Sequence, residues 1–349
     1  MSAEWEFCVQ SLRKVSRTFS RPIEVLPGDL RRAVTCGYLL CRIVDAVEDN
    51  SAFSLDDRDE RYRAFHAVLS RASAPGEFER LWVGVEGSPD DEVELCTKLS
   101  VVTAVLDDVP REMQDAVLRW VIEMARGMQI FSHRRPDGDG VVAPSTPGDL
   151  ERYCYFVAGT VGQMLTDLFV AEIGVSREGA LAGTLYDHAE SFGTGLQLVN
   201  ILKDITDDMH RGWSFVPRSL CRAAGIRNRD LIDPTHLADA HRVVAPLFVV
   251  ARERLDEALE YALAIPADQR EIRLFCLLPL WMAVKTIALA HGNDAMFVAG
   301  QHVKVSREDV ENVIVRCAAT FDDNATLRAD YESFWAPVLQ DRTQTMDAA

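Results

Sequence analysis

The chain has 349 residues, 48% hydrophobic and 26% charged, enough for a sizeable folded core. Its net charge of −17 argues against partners that need a basic surface, namely nucleic-acid phosphates and anionic lipid gripped by a polybasic patch. Its eight cysteines include no Cys-x-x-Cys pair, so they read as reduced thiols of a cytoplasmic protein rather than as a structural zinc site.

In chain order, the N-terminus lacks the basic and apolar regions of a secretory signal. Apolar residues at helical spacing predict helices over 31–49, 111–131, 151–173, 181–208, 239–264 and 270–291, and period-two alternation is rare. Stops are expected at Pro22, Pro27, Pro75, Pro89, Pro110, Pro217, Pro234 and Pro266, with Pro110 opening a helix in its first turn. The polar, Pro- and Gly-rich stretch 132–149 reads as a loop over a site, after which Asp149 is the expected N-cap. The longest apolar run, Leu274–Val284, is too short to span a bilayer, so no membrane anchor is expected. The expected architecture is all-α, one domain over residues 1–335 followed by a polar tail, 336–349.

Two acidic segments carry the chemistry. Asp45-Ala-Val-Glu48-Asp49 and Asp204-Ile-Thr-Asp207-Asp208 each place carboxylates at i, i+3 and i+4, on one face of a helix. Each follows an apolar run, and clustered carboxylates at the wall of a core are costly unless a cation relieves them. Oxygen donors suit Mg²⁺, so Asp45, Glu48, Asp49, Asp204, Asp207 and Asp208 are candidate metal ligands, with a phosphorylated ligand beside them.

Tyr38 and Arg42 lie seven and three residues before Asp45, near the same face. Structurally, Arg42 would be an internal ion-pair partner; functionally, it would hold phosphate. Gln197, Asn200, Asp204 and Asp208 form a polar stripe on a helix otherwise rich in Leu, Val and Ile. The segment Tyr153-Cys-Tyr-Phe-Val-Ala158-Gly159-Thr160-Val-Gly162 pairs a tyrosine with small residues that allow close helix packing or leave room for a ligand chain. A core tyrosine with a satisfied hydroxyl is the plainer reading of Tyr153.

Four segments in this order and spacing resemble the squalene/phytoene synthase family of head-to-head isoprenyl diphosphate synthases: Lys14–Phe19, Tyr38–Asp49, Tyr153–Gly162 and Leu196–Asp208. The likeness covers about residues 6–315. It implies an all-α isoprenoid synthase bundle around a central cavity, with two aspartate-rich motifs holding Mg²⁺ and the loop 132–149 near that cavity. By position, Asp45, Asp49, Asp204 and Asp208 match the metal-binding acids. Ser16, Arg17, Phe19, Tyr38, Arg42, Gln197, Asn200, Lys203 and Arg211 match residues around substrate, and Tyr153 a tyrosine near the reacting carbons.

The chain departs from the family pattern at Asp207, where Glu is usual, at Lys203, where Arg is usual, and at Trp213, where a basic residue is common. The stretch Leu278–Arg307 resembles the squalene synthase branch, which implies NADPH, with Lys304 and Arg307 as phosphate contacts and Ser306 where a second basic residue is expected. The implied reaction joins two farnesyl diphosphates through presqualene diphosphate, then reduces the product to squalene. Loss of a proton would give dehydrosqualene instead, capture of water hydroxysqualene, and a C20 substrate phytoene. The competing readings are a class I terpene cyclase, a catalytically silent helical scaffold and a metal-free acidic binding module. A monomer is expected, touching at most the inner membrane surface to release product.

Overall fold

The computed structural model describes residues 2–16 and 19–346. Among them there is no strand, only an isolated parallel bridge between Val142 and Trp213, so the all-α expectation holds. Arg17, expected beside substrate, lies outside the described residues.

The chain divides into two compact units, residues 1–133 with 159–190, and 134–158 with 191–349. In the first, helix Gly28–Asp49 packs on Arg111–Ser132, which also packs on Thr160–Ile173 and Leu55–Leu69. The approach of Gly28–Asp49 to Thr160–Ile173 is close enough that a Cβ on Gly37 would lie 2.9 Å from the Met164 methyl carbon. Asp167, 1% exposed, ties three helices by accepting from Trp120 Nε1 at 2.8 Å and Tyr186 Oη at 2.7 Å, with Arg177 at 2.9 Å. In the second unit, helix Arg270–Ala290 packs on Leu237–Ala264, Arg307–Thr320 and Asn324–Met346, around fully buried Trp281 and Leu277. The last of these helices runs into the stretch expected to be a tail.

Several boundaries differ from expectation. Residues 151–173 are not one helix: a π-helical turn, Tyr155–Gly159, separates Pro147–Cys154 from Thr160–Ile173. The helix expected over 181–208 ends at Lys203 and restarts at Ile205, with Asp204 at the break. The Asp204 side chain makes no cap hydrogen bond there and pairs with Lys203 instead. Thr146, not Asp149, is the N-cap of Pro147–Cys154; Asp149 supplies the returning half of the capping box. Pro110 lies one residue outside its helix, as N-cap. Most of the prolines read as stops are starts, at Pro27, Pro75, Pro89, Pro217 and Pro234, because a fixed φ and a missing N–H cost least there.

All eight cysteines are free. Among the described residues, the helical stretch Pro147–Ile173, with its π-helical turn, and helix Arg270–Ala290 are long and apolar enough to cross a membrane, and both are mostly buried within the protein.

Candidate active site

The first acidic motif belongs to the first unit. Helix Gly28–Asp49 carries its acids in the last turn, with no basic residue there to offset them. Carboxylates at a helix C-terminus oppose the macrodipole, at a cost of roughly 0.3–1 kcal/mol each. The helix stops where buried Asn50 donates to Glu86 O at 2.9 Å and Ser88 Oγ at 2.8 Å and accepts from Ala52 N–H at 2.8 Å. The acids are thus held at an anchored, electrostatically unfavourable end.

Asp45 is half-buried and Asp49 exposed, so the first motif is not wholly inside the core. Burial pushes the Asp45 carboxyl up to about 6, against the pull of Arg42, and Asp49 and Glu92 push the same way as burial. Arg42 donates from Nη1 to Asp45 Oδ2 at 2.9 Å and from Nη2 to Glu92 Oε1 at 2.6 Å. Its Nε is buried with no acceptor. Burial works against the Arg42 charge, but Asp45 and Glu92 outweigh it and hold the pKa above its ordinary value.

Tyr38 is hydrogen-bonded to buried Ser16, and burial raises its pKa against that bond. Its ring lies 6.1 Å from that of Phe19, whose N–H donates to Ser16 Oγ at 3.0 Å. The expected residues Ser16, Phe19, Tyr38, Arg42 and Asp45 therefore meet.

Sequence reasoning missed two members. Glu92 comes from the short helix Asp90–Cys96, an acidic run that resembles any solvated helix start. Tyr62, 2% exposed, has a buried hydroxyl without a hydrogen-bond partner. Its pKa is raised by burial and then by Glu48, Asp45 and Asp49.

The second acidic motif belongs to the second unit. Lys203 pairs with Asp204 at the helix break. The break is shallow, since Asp204 N–H still donates to Asn200 O at 3.0 Å and Asp204 O accepts from Asp208 N–H at 2.9 Å. Asp208 is buried and pairs with Arg211, whereas Asp207 is exposed, with His302 Nδ1 at 3.6 Å. Gln197 is half-buried and Asn200 exposed.

Tyr153, 7% exposed, stacks on Phe215, which stacks on Trp213. The loop after Ser132 is pinned beside them: Val142 N–H donates to Gly212 O at 2.9 Å and Val142 O accepts from Ser214 N–H at 2.8 Å. Arg218 Nη2 donates to Val141 O at 2.8 Å. Lys304 and Arg307 are both exposed, on the segment whose His302 reaches Asp207. Ser306, standing where a basic residue was expected, caps helix Arg307–Thr320 through Asp309 N–H at 3.0 Å.

The squalene/phytoene synthase profile matches residues 12–309. The chain belongs to that family. A squalene synthase of Rattus norvegicus is 26% identical over 297 residues, which cover 85% of this chain and 66% of that protein. Squalene synthase BSS of Botryococcus braunii is 30% identical over 295 residues, 83% of this chain and 59% of that one. The chain therefore spans somewhat less than two thirds of these relatives. A ligand complex of TcSQS matches the fold with TM-score 0.78 at 23% identity, covering 96% of this chain and 91% of that one.

Within this family member, no three His, Cys, Asp or Glu side chains converge on a ready-made cation cage among the described residues. Mg²⁺ typically keeps several waters and takes one or two carboxylates plus substrate phosphates. Each motif offers carboxylates that fit that mode: half-buried Asp45 and exposed Asp49 on the first, and half-buried Asp204, exposed Asp207 and buried Asp208 on the second. Arg42 pairs with Asp45, Lys203 with Asp204 and Arg211 with Asp208.

Proposed function

We propose that this family member is a squalene synthase, an enzyme that condenses two farnesyl diphosphates through presqualene diphosphate and reduces the product to squalene. The observation that carries the reading is the anchored acidic end of helix Gly28–Asp49, where Arg42 stands among carboxylates that the helix dipole disfavours. The squalene synthase relatives support the branch.

Asp45, Asp49, Asp204 and Asp208 would hold Mg²⁺, with Glu48 and Asp207 beside them. When bound, Mg²⁺ supplies Lewis-acid stabilisation of the departing diphosphate. Arg42, Lys203 and Arg211 bind and orient diphosphate oxygens. Lys203 acts as a point charge, because an ammonium lacks the planar fork of guanidinium. Ser16 and Tyr38 hold one another, and Phe19 lines their apolar side.

Diphosphate leaves the first farnesyl chain with its bonding electrons, and the double bond of the second attacks the allylic cation. A proton is then lost as the cyclopropane closes. Tyr153, stacked on Phe215, would stand near the reacting carbons, and an apolar wall would keep water from the cation. The second diphosphate then leaves with its bonding electrons; Lys304 and Arg307, exposed and cationic, would hold the phosphates of NADPH, which when bound would supply the hydride that quenches the resulting cation.

The test incubates purified protein with farnesyl diphosphate and Mg²⁺, with and without NADPH, and identifies products by mass spectrometry. Squalene formed only with NADPH is expected. Dehydrosqualene or hydroxysqualene regardless of NADPH, or turnover only with geranylgeranyl diphosphate, would overturn the product assignment; no diphosphate release at all would favour a silent scaffold.

A further inference from the structure

We propose that Glu92 is a positioning residue for the first aspartate motif: it draws the Arg42 guanidinium off Asp45 so that Asp45 is available to Mg²⁺. The inference rests on the reading of Asp45 as a metal ligand. Arg42 is shared between two carboxylates on different helices, Asp45 Oδ2 at 2.9 Å and Glu92 Oε1 at 2.6 Å. The contact to Glu92 is the shorter. Both ends of it are shielded, with 23% of the Arg42 side chain and 14% of the Glu92 side chain exposed.

A guanidinium shared with Asp45 competes with any cation that Asp45 would bind. Glu92 changes the terms of that competition. It holds Nη2 at a fixed place on helix Asp90–Cys96, so Nη1 can leave Asp45 while the arginine stays tethered. Arg42 also carries a buried Nε–H with no acceptor, a donor that remains unsatisfied in the shared arrangement. An anionic oxygen arriving with the metal would supply an acceptor once the guanidinium shifts. Asp45 then exchanges Arg42 for the cation, and Arg42 exchanges Asp45 for diphosphate, with Glu92 constant throughout. Asn50, capping the acidic helix, fixes the backbone against which this exchange occurs.

The charge of Glu92 and its reach make separable contributions. A second carboxylate near Asp45 attracts Mg²⁺ wherever its atoms lie. Tethering Arg42 requires the full length of Glu. Glu92→Asp therefore keeps the charge and removes the tether.

The test is calorimetric titration of the full chain with Mg²⁺ in the presence of inorganic pyrophosphate, which needs no turnover and no knowledge of the prenyl chain. Glu92→Asp should bind roughly tenfold more weakly than the unaltered chain, the scale for losing a partner that orients a ligand, and Glu92→Gln, which also loses the charge, more weakly still. Adding Glu92→Asp to Arg42→Gln should cost nothing beyond Arg42→Gln alone, because Asp keeps the charge and the tether acts only through Arg42. A purely structural role would lower thermal stability without producing this pattern. Glu92→Asp binding as well as the unaltered chain would overturn the proposal, as would full additivity of the double variant. No binding to the unaltered chain would instead overturn the metal-site reading, and this proposal with it.

Discussion

Tyr153 lies stacked on Phe215, ring centroids 4.6 Å apart and planes 23° from parallel, and Trp213 extends the stack by 6.2 Å at 19°. Removing the middle ring leaves Tyr153 without its neighbour. An aromatic pair contributes about 0.5–1.5 kcal/mol beyond burial. Phe215→Ala should lower kcat about tenfold with a smaller change in KM, and Phe215→Tyr should restore most of it. Steady-state kinetics with farnesyl diphosphate checks this; an unchanged kcat would separate the stack from Tyr153 function.

Asp49→Asn and Asp208→Asn should each reduce turnover at least a hundredfold with helicity by circular dichroism unchanged. Their stabilities should differ. Asp49 lies exposed at a helix C-terminus, where removing its charge relieves the dipole, so its Tm should not fall. Asp208 is 5% exposed and pairs with Arg211, so its Tm should fall. Near-normal activity in either variant would remove that residue from the metal set.

Lys304→Ala should impair reduction more than condensation, so that presqualene diphosphate accumulates. The residue is exposed, so folding should be unaffected. Product ratios at several NADPH concentrations read this directly; an unchanged NADPH dependence would remove Lys304 from the cofactor site.

Gly195 and Gly183 share one helix but should respond oppositely to alanine. A Cβ on Gly195 would lie 3.3 Å from the Arg254 backbone carbon, too close for rigid backbone to yield easily. Gly195→Ala should destabilise the protein and reduce activity by displacing the segment that carries Asp204. A Cβ on Gly183 meets nothing within 4 Å, so Gly183→Ala should stabilise by up to about 1 kcal/mol. Denaturant midpoints for both variants test the contrast.

Asp59 accepts from Gln129 Nε2 at 2.8 Å, with His133 Nε2 at 2.9 Å. Burial works to raise its carboxyl, but these hydrogen bonds outweigh it and hold the pKa below the ordinary value. A depressed folded pKa means stabilisation is present above the unfolded value, near 3.9, and lost as pH falls through the lower folded value. Asp59→Asn should lower Tm at pH 7 and converge on the unaltered chain as pH falls below the folded value. Parallel curves at all pH values would refute the assignment.

The helices were largely legible because burying one face of each imposes a local apolar period. Ser16, Phe19, Tyr38, Arg42 and Asp45 were legible as a group through their family spacing, and they do meet. Helix interruptions were harder to read. The turn at Tyr155–Gly159 and the break at Asp204 redirect one or two backbone hydrogen bonds, a small local change that apolar periodicity barely registers.

By itself, the sequence determined the helical class, the two acidic motifs and the family, since residue identity and short-range spacing suffice for each. Only the tertiary structure decided that Glu92 takes the other hand of Arg42, 50 residues away, that Phe215 supports Tyr153, and that Val142 is pinned between Gly212 and Ser214. Such pairings depend on which helix faces pack together and on the hydrogen-bond partners left after packing, and no local propensity encodes that choice.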